Sequence, residues 1–166
     1  MREIIFRLAR DVRGNSAAEM VLSLPLLFAI LFGAFELGNF FMTEHKVVKA
    51  VRDGARYAAR RPYTDYPGCT ASNALIDATR NVTRTGQVSS GGDPRVWGWT
   101  DPTSVTVSAT CDNTGTYTGI YVTSPIGTPV VTVVAQVPYT PLLGQLGLTD
   151  AILTLNARSH AAVTGI

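Results

Sequence analysis

The chain has 166 residues, 46% of them apolar and only 16% charged, with a formal net charge of +2. That near-neutral balance argues against a nucleic-acid partner, and the mean hydropathy of +0.17 is raised by one long apolar stretch near the N-terminus. The length leaves room for a single domain of about 100 residues beside that stretch.

Residues 1–14 carry Arg2, Arg7, Arg10 and Arg13 and read as a short basic leader with no fold of its own. From Met20 to Phe35 there is no charge. Ten residues of that run (among them Leu22, Leu24, Phe28, Ile30 and Phe35) each favour insertion by roughly 0.3–0.6 kcal/mol, so the run offsets an ionisable group at either end. About 20 apolar residues cross a bilayer as a helix. Glu19 stands at the edge of this span, where a carboxylate is expensive unless something pairs with it. An ordinary secretory signal also has a basic start and an apolar core, but this run is too long and no small-x-small site closes it.

The helical pattern runs on from Asn15 to Arg60, about 46 residues or ~70 Å, of which the bilayer core takes ~30 Å. Pro25 has no amide proton for the carbonyl of Val21, so a kink or a locally open turn is expected there. Glu36 and Asn39 mark the outer end of the span. Gly33, Ala34 and Gly38 offer a small-residue surface that suits either close helix approach or lipid. Past Phe41 the pattern becomes two-sided. Lys46, Lys49, Arg52, Arg56 and Arg60 recur every three or four residues as a basic stripe, opposite Val47, Val51, Gly54, Ala55 and Ala58. The stripe reads as a solvated face or as a contact for anionic headgroups or an acidic neighbour. A bare count of basic residues on the two flanks would place this side in the cytoplasm. The cysteines and the β-rich remainder, which need an exported side, override it.

Arg61-Pro62 ends the helix, since the residue before proline is pushed out of the helical region. After a turn with two prolines, Ala71, Leu75, Ala78 and Val82 recur at helical spacing, with Thr70 or Ser72 to cap the start and Gly86 to stop a second, shorter helix. Trp97 and Trp99 flank a glycine and are expected on one face of an extended segment, either as a binding platform or as part of the core. Val105, Val107, Ala109 and Cys111 alternate with polar residues as a strand. A weak strand is expected at Ile120–Thr123, a central one at Pro129–Val137 and a last one at Leu153–Ala161. The pattern predicts an α+β fold: a long N-terminal transmembrane helix whose amphipathic continuation packs on an antiparallel sheet, with the second short helix beside it.

The two cysteines, Cys69 and Cys111, allow one bridge in an oxidising compartment or else are two separate buried thiols. No catalytic constellation emerges, and the chain is not read as an enzyme. His45 and His160 are far apart on different elements, the cysteines lack CxxC spacing, and neither a P-loop nor G-x-S-x-G nor G-x-G-x-x-G occurs, so no metal or cofactor is called for. Asn81-Val82-Thr83 fits a glycosylation sequon, a three-residue pattern of little weight.

Three stretches carry a resemblance: Glu19-Met20-Val21-Leu22-Ser23-Leu24-Pro25-Leu26-Leu27, Phe32-Gly33-Ala34-Phe35-Glu36-Leu37-Gly38 and Arg52-Asp53-Gly54-Ala55-Arg56-Tyr57-Ala58-Ala59. In that order they are similar to the TadE-like pseudopilins of Tad/Flp (type IV) pilus systems, over roughly residues 10 to 61. The resemblance implies processing by a prepilin peptidase between Gly14 and Asn15, with Glu19 fifth in the mature chain. The family's cleaved members usually carry an aromatic after the glutamate, where this chain has Met20. The new α-amino group at Asn15 would be largely protonated, with a pKa near ~8, and would partner Glu19 when helices pack in lipid, so that Glu19 sets the register between subunits.

The implied division is 1–14 leader, 15–61 transmembrane and amphipathic helix, and 62–166 an exported, pilin-like α+β domain. The implied partners are other pilins and pseudopilins, the pilus assembly platform, the prepilin peptidase and the inner membrane, and no nucleic acid. The implied role is a minor subunit at pilus initiation or at an adhesive tip, held in the bacterial inner membrane with its N-terminus cytoplasmic. A permanently anchored, uncleaved binding module using the Trp97 and Trp99 surface is the other reading.

Overall fold

The structure, a computed structural model, describes residues 15–112, 114–122, 124–144 and 153–165. The proposed leader and Gly14 lie outside them. Helix α1 covers Asn15–Ala59 and continues past Pro25. It is followed by α2 (Asn73–Thr85) and three strands, β1 (Val105–Asp112), β2 (Thr128–Tyr139) and β3 (Leu153–Ala162). The chain divides into two compact units, Met1–Asn39 and Phe40–Ile166.

Within the second unit the strands form one antiparallel sheet in the order β1-β2-β3. Period-2 alternation puts Pro129, Val131, Val133, Ala135, Val137 and Tyr139 on one buried face of β2. The register lays matching residues beside them: Val105 faces Ala135 and Val107 faces Val133 on β1, and Ala157 and Leu155 face Ala135 and Val137 on β3. The inner face of α1 (Val47, Ala50, Val51, Ala55 and Ala58) joins the same core, as do Leu75 of α2 and Trp99. The other face of the sheet carries Thr106, Ser108, Gln136, Asn156 and Arg158, all exposed.

Close approach explains the small residues on α1. A Cβ at Gly54 would collide with the Thr83 hydroxyl, itself donating to the Thr79 carbonyl at 2.8 Å. Helix α2 is delimited as its sequence predicts. Ser72 is the N-cap, its Oγ accepting from the Leu75 amide at 3.3 Å, and Gly86 ends the helix at φ 81° with its amide donating to the Val82 carbonyl.

The far end of α1 is closed from three sides. Its last turn tightens through Arg60 and Arg61 amides donating to the Tyr57 and Ala58 carbonyls. The fully buried Tyr66 donates its hydroxyl to the Ala58 carbonyl at 2.7 Å. Burial, with the Asp65 carboxylate adding to it, pushes that hydroxyl far above the usual tyrosine range and keeps it a donor. The Thr164 amide donates to the Ala59 carbonyl at 2.8 Å, and the Val163 amide to the Pro129 carbonyl at 2.8 Å.

Cys69 and Cys111 are bridged, with Cα atoms 5.9 Å apart across a sequence separation of 42. In the chain-entropy model a loop of that size constrains the unfolded state by about 4 kcal/mol. The bridge fastens the turn Pro67–Cys69, where Cys69 itself takes a left-handed φ of 65°, to the end of β1.

One expected strand is absent. Gly119–Tyr121 is a 3-10 turn instead of a strand at Ile120–Thr123. Gly119 turns the chain at φ 64°, and amides of Val122 and Ser124 donate back to the carbonyls of Gly119 and Tyr121, which no extended segment allows. Thr123 lies outside the described residues.

The Gly54 contact is testable by urea unfolding of the full chain in detergent. Gly54→Val should destabilise the sheet-bearing unit by roughly 2–3 kcal/mol through overpacking against Thr83. Gly33→Val, where a new Cβ meets nothing within 4 Å, should leave that transition unchanged.

Candidate membrane and partner interface

In the first unit the apolar run is bare. An 18-residue stretch of α1 is apolar enough to cross a membrane and none of it is buried. A water-soluble core helix would hide such a stretch, so a helix apolar on all sides fits a single-pass membrane anchor. Glu19 is exposed at its start and has no ion-pair partner among the described residues. Its carbonyl accepts from the Ser23 hydroxyl at 2.8 Å, which satisfies that hydroxyl on a helix facing lipid. A Cβ at Gly33 or Gly38 would meet nothing within 4 Å, so both glycines present open surface. Glu36 is half-buried.

In the second unit the same helix becomes one-sided. Lys46, Lys49, Arg52, Arg56 and Arg60 are all exposed, while Val47, Ala50, Val51, Ala55 and Ala58 between them are buried. Asp53, Arg56, Tyr57, Arg60 and Arg61 line an open depression of about 460 Å³. Both carboxylates beside it are engaged: Asp53 by Arg95 at 2.6 Å, and Asp65 by Arg61 at 2.9 Å. Arg61 also lies over the Tyr57 ring, 5.9 Å from its centroid. The positive charge left over on this face therefore belongs to the stripe. The Asp53–Arg95 pair escapes a reading of the sequence, because its partners are 42 residues apart and share no pattern.

A family model described as TadE-like protein matches residues 14–56. The chain carries a TadE-like segment. It begins at Gly14, covers the whole apolar run and reaches into the basic stripe as far as Arg56. Such a segment suggests a protein associated with a Tad pilus. No curated protein and no solved structure matches the chain.

Outside the TadE-like segment the two tryptophans are separated. Gly98 takes φ 78° and turns the chain between them, so Trp97 is 80% exposed while Trp99 is fully buried. The expectation of a shared face is thus corrected by one left-handed glycine. Trp99 donates its indole N–H to the Ser104 hydroxyl at 2.7 Å, and Arg84 reaches the Trp99 carbonyl at 3.3 Å, so this ring fastens the 86–104 segment to the core. His160 Nδ1 lies 2.8 Å from the Thr132 hydroxyl on the outer sheet face, away from His45 on α1. Among the described residues no cluster of histidine, cysteine and carboxylate side chains is arranged to hold a metal.

The tryptophans should separate cleanly on mutation. Trp99→Ala is expected to cost about 3–5 kcal/mol by emptying a core site, and Trp97→Ala to stay within about 0.5 kcal/mol. Urea titration of the two variants beside the parent chain measures both.

Proposed function

We propose that the chain is a minor pseudopilin of a Tad-type pilus, cut after Gly14 by a prepilin peptidase and acting where assembly begins or at the tip. The observation that carries this is the TadE-like match, which starts at Gly14 and runs over a helix whose apolar surface is unoccupied. Cleavage makes Asn15 the first residue and places its ammonium four positions before Glu19. In a bundle of such helices that ammonium and the Glu19 carboxylate of a neighbour attract strongly, because the surrounding dielectric is low. Packing in lipid has no hydrophobic drive of its own, so a charged pair of this kind sets the register. Pro25 lies inside the helix, and the carbonyl it leaves without a donor is one that neighbouring helices can satisfy.

The bulk of the second unit restricts the place in the machine. The resemblance implies a main filament subunit that is little more than a short hydrophobic helix. A head built on Phe40–Ile166 collides with its neighbours if it recurs at every step of so thin a lattice, and it fits only at an end. The N-terminus is then cytoplasmic and the disulfide-bonded sheet unit lies on the exported side, where thiols oxidise.

Intact-mass measurement of the protein from membranes with and without the peptidase should differ by residues 1–14. An unchanged mass would leave the uncleaved, anchored binding module, with Trp97 as its exposed aromatic. Glu19→Ala should be processed and inserted as the parent is, yet fail to co-purify pilus subunits. Normal co-purification of that variant would sink the pairing mechanism.

A further inference from the structure

Among the described residues the sheet-bearing unit leaves eight large apolar side chains exposed; Val88, Trp97, Ile120 and Val122 lie on its loops, and the other four form a group. Phe41 (50% exposed), Met42 (62%), Leu142 (45%) and Leu153 (48%) gather at one end of it. Their placement follows from two fastenings. At the far end, the Ala59 carbonyl accepts from the Thr164 amide while the Pro129 carbonyl accepts from the neighbouring Val163 amide. At the near end, the rings of Phe40 and Tyr139 meet edge to face, 5.2 Å between centroids.

Between these points α1 covers about 29 Å at ~1.5 Å per residue, and β2 covers about 33 Å at ~3.3 Å per residue. The two elements therefore run side by side in opposite directions, and the end of β2 lies level with Phe40, the first residue of α1 in this unit. Leu153 pairs with Tyr139 in the sheet register, and Leu142 follows Tyr139 by three residues. On the β2–β3 side this end carries no Asp, Glu, Lys or Arg among the described residues from Thr114 to Ala157, while on α1 Glu44 and Lys46 follow Met42 at its border.

We propose that this end of the unit is a membrane-embedding surface, with Phe41, Met42, Leu142 and Leu153 seated in the boundary between headgroups and acyl chains of the bilayer. The occupant is lipid because Phe41 and Met42 continue directly from the span on the same helix, and because aromatic and aliphatic side chains without charge suit that boundary. The proposal rests on the reading of α1 as a membrane span, and it holds whether or not the leader is removed. It gives the β2–β3 end of the unit an attachment to the bilayer of its own.

The test uses the full chain in phosphatidylglycerol–phosphatidylcholine liposomes, with one added cysteine carrying an environment-sensitive fluorophore. The native cysteines are bonded to each other and take no label. Leu142→Cys reports the proposed surface, Thr64→Cys the opposite end, and Leu31→Cys the span. With quenchers attached to the lipid near the headgroups, the label at 142 should be blue-shifted and quenched several-fold more strongly than the label at 64. A label at 142 as unquenched as that at 64, with the label at 31 protected from water, overturns the embedding and leaves the span intact. A blue-shifted label at 142 that lipid quenchers do not touch overturns it in favour of a protein partner or a second copy. A water-exposed label at 31 removes the span and the proposal together.

Discussion

The structure depends on one helix passing from one solvent to another. From Met20 to Phe35 α1 carries no charge on any side, which suits a helix surrounded by lipid. From Lys46 onward the same helix must bury one side against protein and wet the other, and its sequence changes at that point into alternating small apolar and long basic residues. The sheet and α2 then cover a face of small side chains, lined by valines, alanines and Gly54.

A face of such small side chains demands close approach, and the two contacts that achieve it differ in kind. Gly54 lets α2 come within reach of the α1 backbone, with Thr83 filling the space that a side chain would need. Tyr66 and Thr164 instead satisfy the last carbonyls of α1, which a buried helix end cannot leave unpaired. The second contact draws the C-terminal end of the chain back to residue 59, and the disulfide adds a separate fastening of the intervening turn to β1. Residues remote in sequence thus define both ends of a helix–sheet sandwich.

The distribution of ion pairs separates the arginines that hold the fold from those that do not. Arg95 joins the loop before Trp99 to α1 through Asp53, Arg80 donates to the Val105 carbonyl at 3.0 Å, and Arg84 holds the Trp99 carbonyl. These guanidiniums act at half-buried sites, where a charge-assisted hydrogen bond is worth more than on the open surface. The five cations of the α1 stripe point outward, so changes in that stripe act on what the surface meets more than on the stability of the core.

The sequence by itself determined both helices and the three strands of the sheet, because each carries a short-range signature: an uncharged run long enough for a bilayer, a two-sided 3.6 period after it, Ser72 and Gly86 bounding α2, and period-2 alternation in the three strands. It also showed where the family resemblance lies, since Gly14, Glu19 and the Arg52–Ala59 motif are contiguous patterns. What only the tertiary structure decided rests on pairs far apart in the chain. The two tryptophans look equivalent in sequence, and a single left-handed Gly98 buries one and exposes the other. Ile120 and its neighbours have strand-like composition, yet Gly119 turns them into a 3-10 turn. The meeting of Phe40 with Tyr139, and of Asp53 with Arg95, depends on how a helix rising 1.5 Å per residue matches a strand rising more than twice as fast. Local pattern carries no record of that match, because it is set by packing the finished elements against one another.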